Sequence, residues 1–157
     1  GGTLVFLNES SRFAIEQFNL PIKDVTRGLP RKDFYIPGSI LRTELDLSHP
    51  IAKGMPQQSI AWFEDSPVFE VVQSASFSSS IRDESRTPSI RVIARYPSDP
   101  KNILLSGRAL GQEKIAGKAA LVEVTMGKGK IVLFGFRPQY RGQSLATFPL
   151  LFNAISQ

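Results

Sequence analysis

The chain has 157 residues, of which 41% are hydrophobic and 21% are charged, which fits one folded domain with a substantial core and not a disordered segment. The formal charge is +5, but the basic residues are scattered among acidic and apolar ones without an aromatic and basic motif, which argues against a nucleic-acid partner. Cysteine is absent, which excludes a thiol nucleophile, a disulfide framework and a cysteine-based metal site. No apolar run reaches the roughly 18 residues of a membrane span, so we expect no membrane partner.

A strand, a turn and a helix are predicted at the start of the chain. Residues 3–7 form an apolar run of strand length, and the polar residues 8–11 that follow include several possible N-caps of a helix. The helix should end before Pro21, because proline disfavours a helical residue in front of it. The chain begins inside the predicted strand and has no charged segment followed by an apolar stretch, so we expect no export signal in it. We hypothesise that it is a fragment of a longer polypeptide.

The middle of the chain predicts several short strands joined by turns. Residues 22–38 contain scattered glycine and proline and predict a long connection that includes at most one short element. Residues 39–47 alternate, with the odd-numbered face the more apolar, as in a half-buried strand. The serine-rich residues 74–89 predict a loop. Further strands are predicted at residues 60–63, 68–72, 90–96 and 103–105.

The C-terminal part predicts a strand pair and a helix. Residues 131–136 are continuously apolar, which is typical of a strand covered on both faces. The turn before them, at residues 126–130, joins two strands and lacks the longer pattern of a phosphate-binding loop. The final helix is expected to lay one apolar face on the sheet, and that face comprises Phe148, Leu151, Phe152 and Ile155.

Two polar segments are expected to meet at the carboxyl ends of strands. Asn8 and Glu9 follow the first strand, and Arg137 and Gln139 follow the strand at 131–136. In open α/β sheets ligands bind in the crevice outside such strand ends. These four residues, together with Arg141, are the candidate binding site, since arginine offers a bidentate fork to a carboxylate or a peptide end.

The histidine, carboxylate and aromatic residues outside these two segments give weaker indications of a functional site. His49 is the single histidine, so a hydrolytic triad or a histidine-rich metal site is not expected within the chain, and we interpret it as structural. Glu44 and Asp46 lie two residues apart on one face of a strand, where a solvated outer face is expected. One alternative is an enzyme that uses Glu9 or Asp46 as a general base. Another is a carbohydrate- or surface-binding module, in which aromatic side chains stack on sugars. The candidates, which are also of the types expected in the core or at its rim, are Trp62, Phe63, Tyr96 and Tyr140.

The segment Gly135-Phe136-Arg137-Pro138-Gln139 resembles the Gln-Phe-His-Pro-Glu motif of class I glutamine amidotransferases. Arginine stands in place of the catalytic histidine and glutamine in place of the glutamate. Asn8 and Glu9 occupy the region of the nucleophilic cysteine. The resemblance therefore implies a partial flavodoxin-like, amidotransferase-like α/β sheet with flanking helices and additional β-hairpins, and no catalytic residue in this chain.

A closer resemblance, covering nearly the whole chain, is to the C-terminal amidotransferase-like region of bacterial zinc carboxypeptidase-like proteins. It is carried by four segments: residues 37–42, 48–56, 117–124 and 135–141. The resemblance implies that residues 1–157 are a single domain lacking its first βα units. It also implies an upstream peptidase domain in the same polypeptide, with zinc held there by His-x-x-Glu and a distant histidine, and a secreted or periplasmic protein.

We accordingly expect a noncatalytic accessory domain, for binding or scaffolding, with no metal or cofactor in this chain. Its truncated sheet would expose an edge strand, and such an edge favours pairing with another chain, so a homodimer is expected as a further partner.

Overall fold

The computed structural model describes residues 1–72, 88–142 and 144–157. They form an α/β fold in which one sheet carries a helix on each face, with β-hairpins added, so the predicted fold class is confirmed. The predicted serine-rich loop lies mostly outside the described residues. The helices are α1 (Ser10–Gln17) and α2 (Phe148–Ile155). The strands are β1 (Thr3–Leu7), β2 (Ile22–Asp24), β3 (Ser39–Leu45), β4 (Gln58–Phe63), β5 (Phe69–Val71), β6 (Ser89–Arg95), β7 (Leu104–Ser106), β8 (Ala119–Met126) and β9 (Gly129–Phe134).

The main path of the sheet runs β1-β9-β8-β6-β3-β4. β1 and β9 are parallel, and each later neighbour along this path is antiparallel. Off the path, β2 pairs with β5, β5 also pairs with β8, and β7 pairs with β3. β8 and β3 run opposite to β1 and β9, whereas β6 and β4 run in the same direction as β1 and β9. The carboxyl ends of β1, β9, β6 and β4 therefore lie at the same end of the sheet.

Burial follows the sequence patterns of the strands. Residues 131–134 of β9 are buried without alternation, as expected of a strand covered on both faces. In β3 the odd-numbered residues are buried and Glu44 is exposed, as the alternation predicts. The two faces of the sheet carry separate cores. Ala14 of α1 belongs to one, and Leu150 and Ala154 of α2 belong to the other.

Helix α1 is anchored to β9 at its first turn. Asn8 has a φ of +50° and turns the chain between β1 and α1. The buried hydroxyl of Ser11 donates a hydrogen bond to the Phe134 carbonyl at 2.9 Å. This bond fixes the start of the helix beside the end of the strand.

Helix α2 packs through a different face from the predicted one, so that prediction was wrong. Leu150 and Ala154 are fully buried, whereas Phe152 is 62% and Ile155 is 63% exposed. The Asn153 amide donates to the carbonyls of Ile51 and Lys53, at 2.9 and 3.0 Å, and so sets the rotation of the helix. The helix is apolar around most of its circumference, so the spacing of apolar residues alone did not distinguish the stripe that packs, with Leu150 and Ala154, from the exposed stripe with Phe152 and Ile155.

Within the described ranges, no helix combines the length and the apolar character required to cross a bilayer.

Candidate functional site

A cavity of about 300 Å³ opens at the carboxyl ends of β1 and β9. We call it the crevice. Its walls contain four of the five predicted site residues, while Arg141 does not line it. The lining residues are Leu7, Asn8, Glu9, Arg137, Pro138 and Gln139.

Gly135 fixes the path of the chain from β9 into the crevice. Its N–H donates to the Ala120 carbonyl at 2.8 Å. A Cβ atom at this position would lie 2.5 Å from the carbonyl oxygen of Pro67 and 3.0 Å from that of Ala120. Because both neighbours are backbone atoms, a side chain would force the loop away from the sheet. The absence of a side chain at position 135 therefore lets Arg137 follow the strand so closely.

Arg137 is the positively charged group of the crevice wall, which also contains the carboxylate of Glu9. Its backbone N–H donates to the Trp62 carbonyl at 3.3 Å, which ties the loop after β9 to the end of β4. Its Nη2 lies 3.6 Å from Glu64 Oε2, and both side chains are partly exposed. Its Nε is buried and makes no hydrogen bond to the residues that the structure describes. The guanidinium therefore has one weak ionic neighbour and donor capacity to spare.

Asn8 faces Arg137 from the β1 side and is 6% exposed. Its backbone N–H donates to the Phe134 carbonyl at 2.9 Å, which extends the β1–β9 pairing by one residue. Its side-chain Oδ1 is buried and has no hydrogen-bond partner among the described residues. Buried polar atoms are normally paired, so an unpaired acceptor and an unpaired donor beside one cavity mark it as a place for a polar ligand.

Aromatic rings form a rim next to the crevice. Trp62 and Tyr140 stack with their centroids 4.9 Å apart. The guanidinium carbons of Arg137 and Arg141 lie 5.7 and 5.1 Å from the Tyr140 ring centroid, within cation–π range. Arg141 thus belongs to the rim and not to the cavity. Glu64 was not predicted from the sequence, and Trp62, Tyr140 and Arg141 were named without the contacts that join them. These contacts link the end of β4 to a segment more than 70 residues away.

Of the other residues named for the two alternatives, Phe63 and Tyr96 pack edge to face, with their ring centroids 6.3 Å apart. Phe63 and Tyr96 are fully buried core residues and offer no ring to a sugar. Asp46 does not line the crevice, and hydrogen bonds from Ser48 lower its pKa, the opposite of what a general base near neutral pH requires. Glu9 lines the crevice and is exposed, with its Oε1 3.9 Å from Arg12 Nη1.

His49 is buried outside the crevice, in a polar cluster over β8. Its Nδ1 accepts from the Ile51 N–H at 3.2 Å, and its Nε2 lies 3.4 Å from Glu123 Oε1. Lys130 Nζ lies 3.5 Å from the other carboxylate oxygen, Glu123 Oε2. Burial lowers the pKa of His49, against an opposing influence from Glu123. Across the described part of the chain, no three side chains of metal-binding type come together.

No family model matches the chain, and no curated protein matches it. Among solved structures, it is similar to a crystal structure of a ThuA-like protein from Bacteroides uniformis ATCC 8492, with 15% sequence identity and a TM-score of 0.42. The match covers 97% of this chain and 66% of that one, so the chain spans less than two thirds of that structure's length.

Proposed function

We propose that this chain is a noncatalytic binding domain whose crevice holds a carboxylate, such as the end of a peptide. We further propose that it is the accessory domain of a secreted zinc metallocarboxypeptidase-like protein, with the peptidase activity and its zinc in an upstream domain. The observation that carries the binding proposal is the partly exposed Arg137 guanidinium, whose Nε is unpaired within the described residues, in the wall of a cavity opposite Asn8.

The chemistry of these groups favours a carboxylate attached to an amide. Arginine presents planar N–H groups that match the two oxygens of a carboxylate. The side-chain amides of Asn8 and of the exposed Gln139 line the crevice, and an amide group can donate to or accept from the adjoining peptide group. Glu64 competes for the same guanidinium, but a partly exposed pair at 3.6 Å contributes little and is readily given up.

Two observations support a noncatalytic role. The sequence has no cysteine to act as the nucleophile of an amidotransferase. Its single histidine, His49, is buried against Glu123 and does not line the crevice. The accessory role beside a peptidase is supported by the sequence resemblance alone.

The binding proposal is tested by calorimetric titration with N-acetyl-Ala-Ala as the free acid and as its C-terminal amide. We expect the acid to bind and the amide not to bind. Arg137→Ala should weaken binding of the acid about tenfold or more, because hydrogen bonds to charged groups contribute about 1.5–3 kcal/mol. Arg137→Lys should restore only part of the loss, because lysine lacks the planar fork.

Arg91→Ala is the matched control. Arg91 is also a partly exposed arginine paired with one carboxylate, Asp46, at 3.4 Å, but it lies near the opposite end of the sheet. The variant should bind the acid as the unmodified protein does. Equal binding of acid and amide, or equal losses in the Arg137 and Arg91 variants, would refute the proposal.

The parent protein is tested by sequencing the coding region immediately upstream of Gly2. A signal peptide followed by His-x-x-Glu and a later histidine is the expected result. A start codon next to Gly2 would remove the peptidase inference and leave the binding proposal standing.

A carbohydrate ligand is a second candidate, favoured by the stacked Trp62 and Tyr140 rings beside the crevice. Sugars bind on exposed aromatic faces, and these two rings cover part of one another. A glycan screen with the protein and its Tyr140→Ala variant separates the two candidates. Glycan binding that is lost in this variant would favour a sugar ligand.

A further inference from the structure

The outer edge of β1 has free backbone hydrogen-bonding groups. β1 pairs only with β9 among the described strands, and the bonds made by Gly2 and Asn8 show that its even-numbered residues turn toward β9. The N–H and C=O groups of Thr3 and Val5 therefore point outward, and no described residue bonds to them. The pairing edge ends at Leu7, whose N–H and C=O are both bonded to the Ser10 hydroxyl, at 2.8 and 2.7 Å.

Exposed apolar side chains occur near this edge on the sheet and on each of the two helices that cover its faces. Leu4, in the sheet itself, is 48% exposed. Phe13 of α1 is 59% exposed and lies about 100° around that helix from Arg12, whose side chain is bonded to Asp24. On α2, Ile155 is exposed and lies about 160° around the helix from Asn153, which binds the inner side of the domain. An apolar strip of this kind beside an unpaired strand marks an interaction surface.

We propose that this strip binds a second copy of the chain, with the two β1 strands antiparallel about a two-fold axis at Leu4. In this register Thr3 of each copy lies opposite Val5 of the other, so every free N–H and C=O of the edge is bonded. The two Leu4 residues form the non-hydrogen-bonded pair on the axis, where side chains approach most closely. The pairing stops on both sides at Leu7, where Ser10 has already taken the backbone groups.

Charge complementarity favours a second copy over an unrelated partner. The β1 segment from Thr3 to Leu7 has no charge. Exposed Glu9 lies beyond its carboxyl end, and exposed Lys128 lies beside its amino end, where Gly1 approaches the Lys128 carbonyl. An antiparallel two-fold places the acidic end of each edge beside the basic end of the other. A single surface is thereby complementary to itself, as an isologous dimer requires.

The test is sedimentation equilibrium from low micromolar to submillimolar protein. The chain should approach twice its mass of 17.3 kDa as concentration rises. Leu4→Lys should abolish this, because it places two like charges directly opposite each other on the axis. Leu47→Lys is the matched control: Leu47 is 50% exposed and lies beyond the end of β3, away from this edge, so the variant should dimerise normally. Circular dichroism and thermal melting check that both variants are folded.

Hydrogen exchange locates the interface independently of the variants. The amide protons of Thr3 and Val5 should exchange slowly at high concentration, and rapidly on dilution or in Leu4→Lys. A protein that stays monomeric throughout, a dimer unaffected by Leu4→Lys, or a dimer with fast exchange at these amides would overturn the proposal. It would equally be overturned by a longer natural polypeptide that stays monomeric while these amides are protected, because another segment would then occupy the edge.

Discussion

Replacing Gly135 with alanine tests the packing that positions the crevice. The new Cβ would meet two carbonyl oxygens, at 2.5 Å from Pro67 and 3.0 Å from Ala120. Neither is the end of a flexible side chain, so the loop or the β8–β9 pairing must shift. Overpacking of this kind costs about 1–3 kcal/mol. We expect the upper part of that range, about 2–3 kcal/mol, because the shift also strains the 2.8 Å bond from Gly135 to Ala120.

The assay is urea unfolding and thermal melting followed by circular dichroism. For a domain of this size each kcal/mol lowers Tm by about 2–4 °C, so a decrease of about 4–12 °C is expected. Gly2→Ala is the matched control: its Cβ would have no described atom within 4 Å, and its free energy of unfolding should stay within about 0.5 kcal/mol of the unmodified protein. Equal stability of the two variants would refute the close approach of Gly135 to Pro67 and with it the reason that Arg137 lies where it does.

Three further predictions concern buried polar groups. Tyr96→Phe should leave the free energy of unfolding unchanged or raise it by about 1–2 kcal/mol, because the Tyr96 hydroxyl is buried without a hydrogen-bond partner among the described residues; a clear loss in urea unfolding would show that it has one. Ser11→Ala should cost about 1–2 kcal/mol, because it leaves the start of α1 without its bond to the Phe134 carbonyl; an unchanged urea midpoint would contradict this. Burial lowers the pKa of His49 below its ordinary 6.5, so the folded protein takes up this proton less readily than the unfolded chain. The contribution of neutral, buried His49 to the free energy of unfolding is therefore fully present above pH 6.5. It falls as the pH drops below 6.5, by at most about 1.4 kcal/mol per pH unit. His49→Asn, which keeps an acceptor for the Ile51 N–H, should lose less stability between about pH 7.5 and 5.5 than the unmodified protein. Identical losses would contradict the lowered pKa of His49 as their cause.

The sequence predicted the site best where local pattern and strand direction act together. The apolar run of β9 and the short strand β1 each end in polar residues, and a parallel pair brings those ends together. Asn8 and Arg137 were therefore expected to face each other. Glu64 and the stacking of Trp62 on Tyr140 were not predicted, because Trp62 and Glu64 come from the end of β4, which lies at the far end of the sheet order and is placed only by tertiary pairing.

Two other outcomes show what local pattern omits. The face of α2 was assigned wrongly, because Leu150 and Ala154 compete with a larger apolar stripe and the choice is made by Asn153 bonding to a distant turn. The apolar stripe that α2 leaves exposed includes Ile155, one of the side chains beside the β1 edge. The burial of His49 against Glu123 was likewise not readable, since 74 positions separate the two residues and only the course of β3 and β8 brings them together.

The measurement that tests the binding claim most directly is nuclear magnetic resonance titration of the isotope-labelled protein with N-acetyl-Ala-Ala. We expect the free acid to shift the Arg137 Nε–H signal and the side-chain amide signals of Asn8 and Gln139, and the C-terminal amide of the same peptide to shift none of them. Shifts confined to residues outside the crevice, or equal shifts with the acid and the amide, would contradict it.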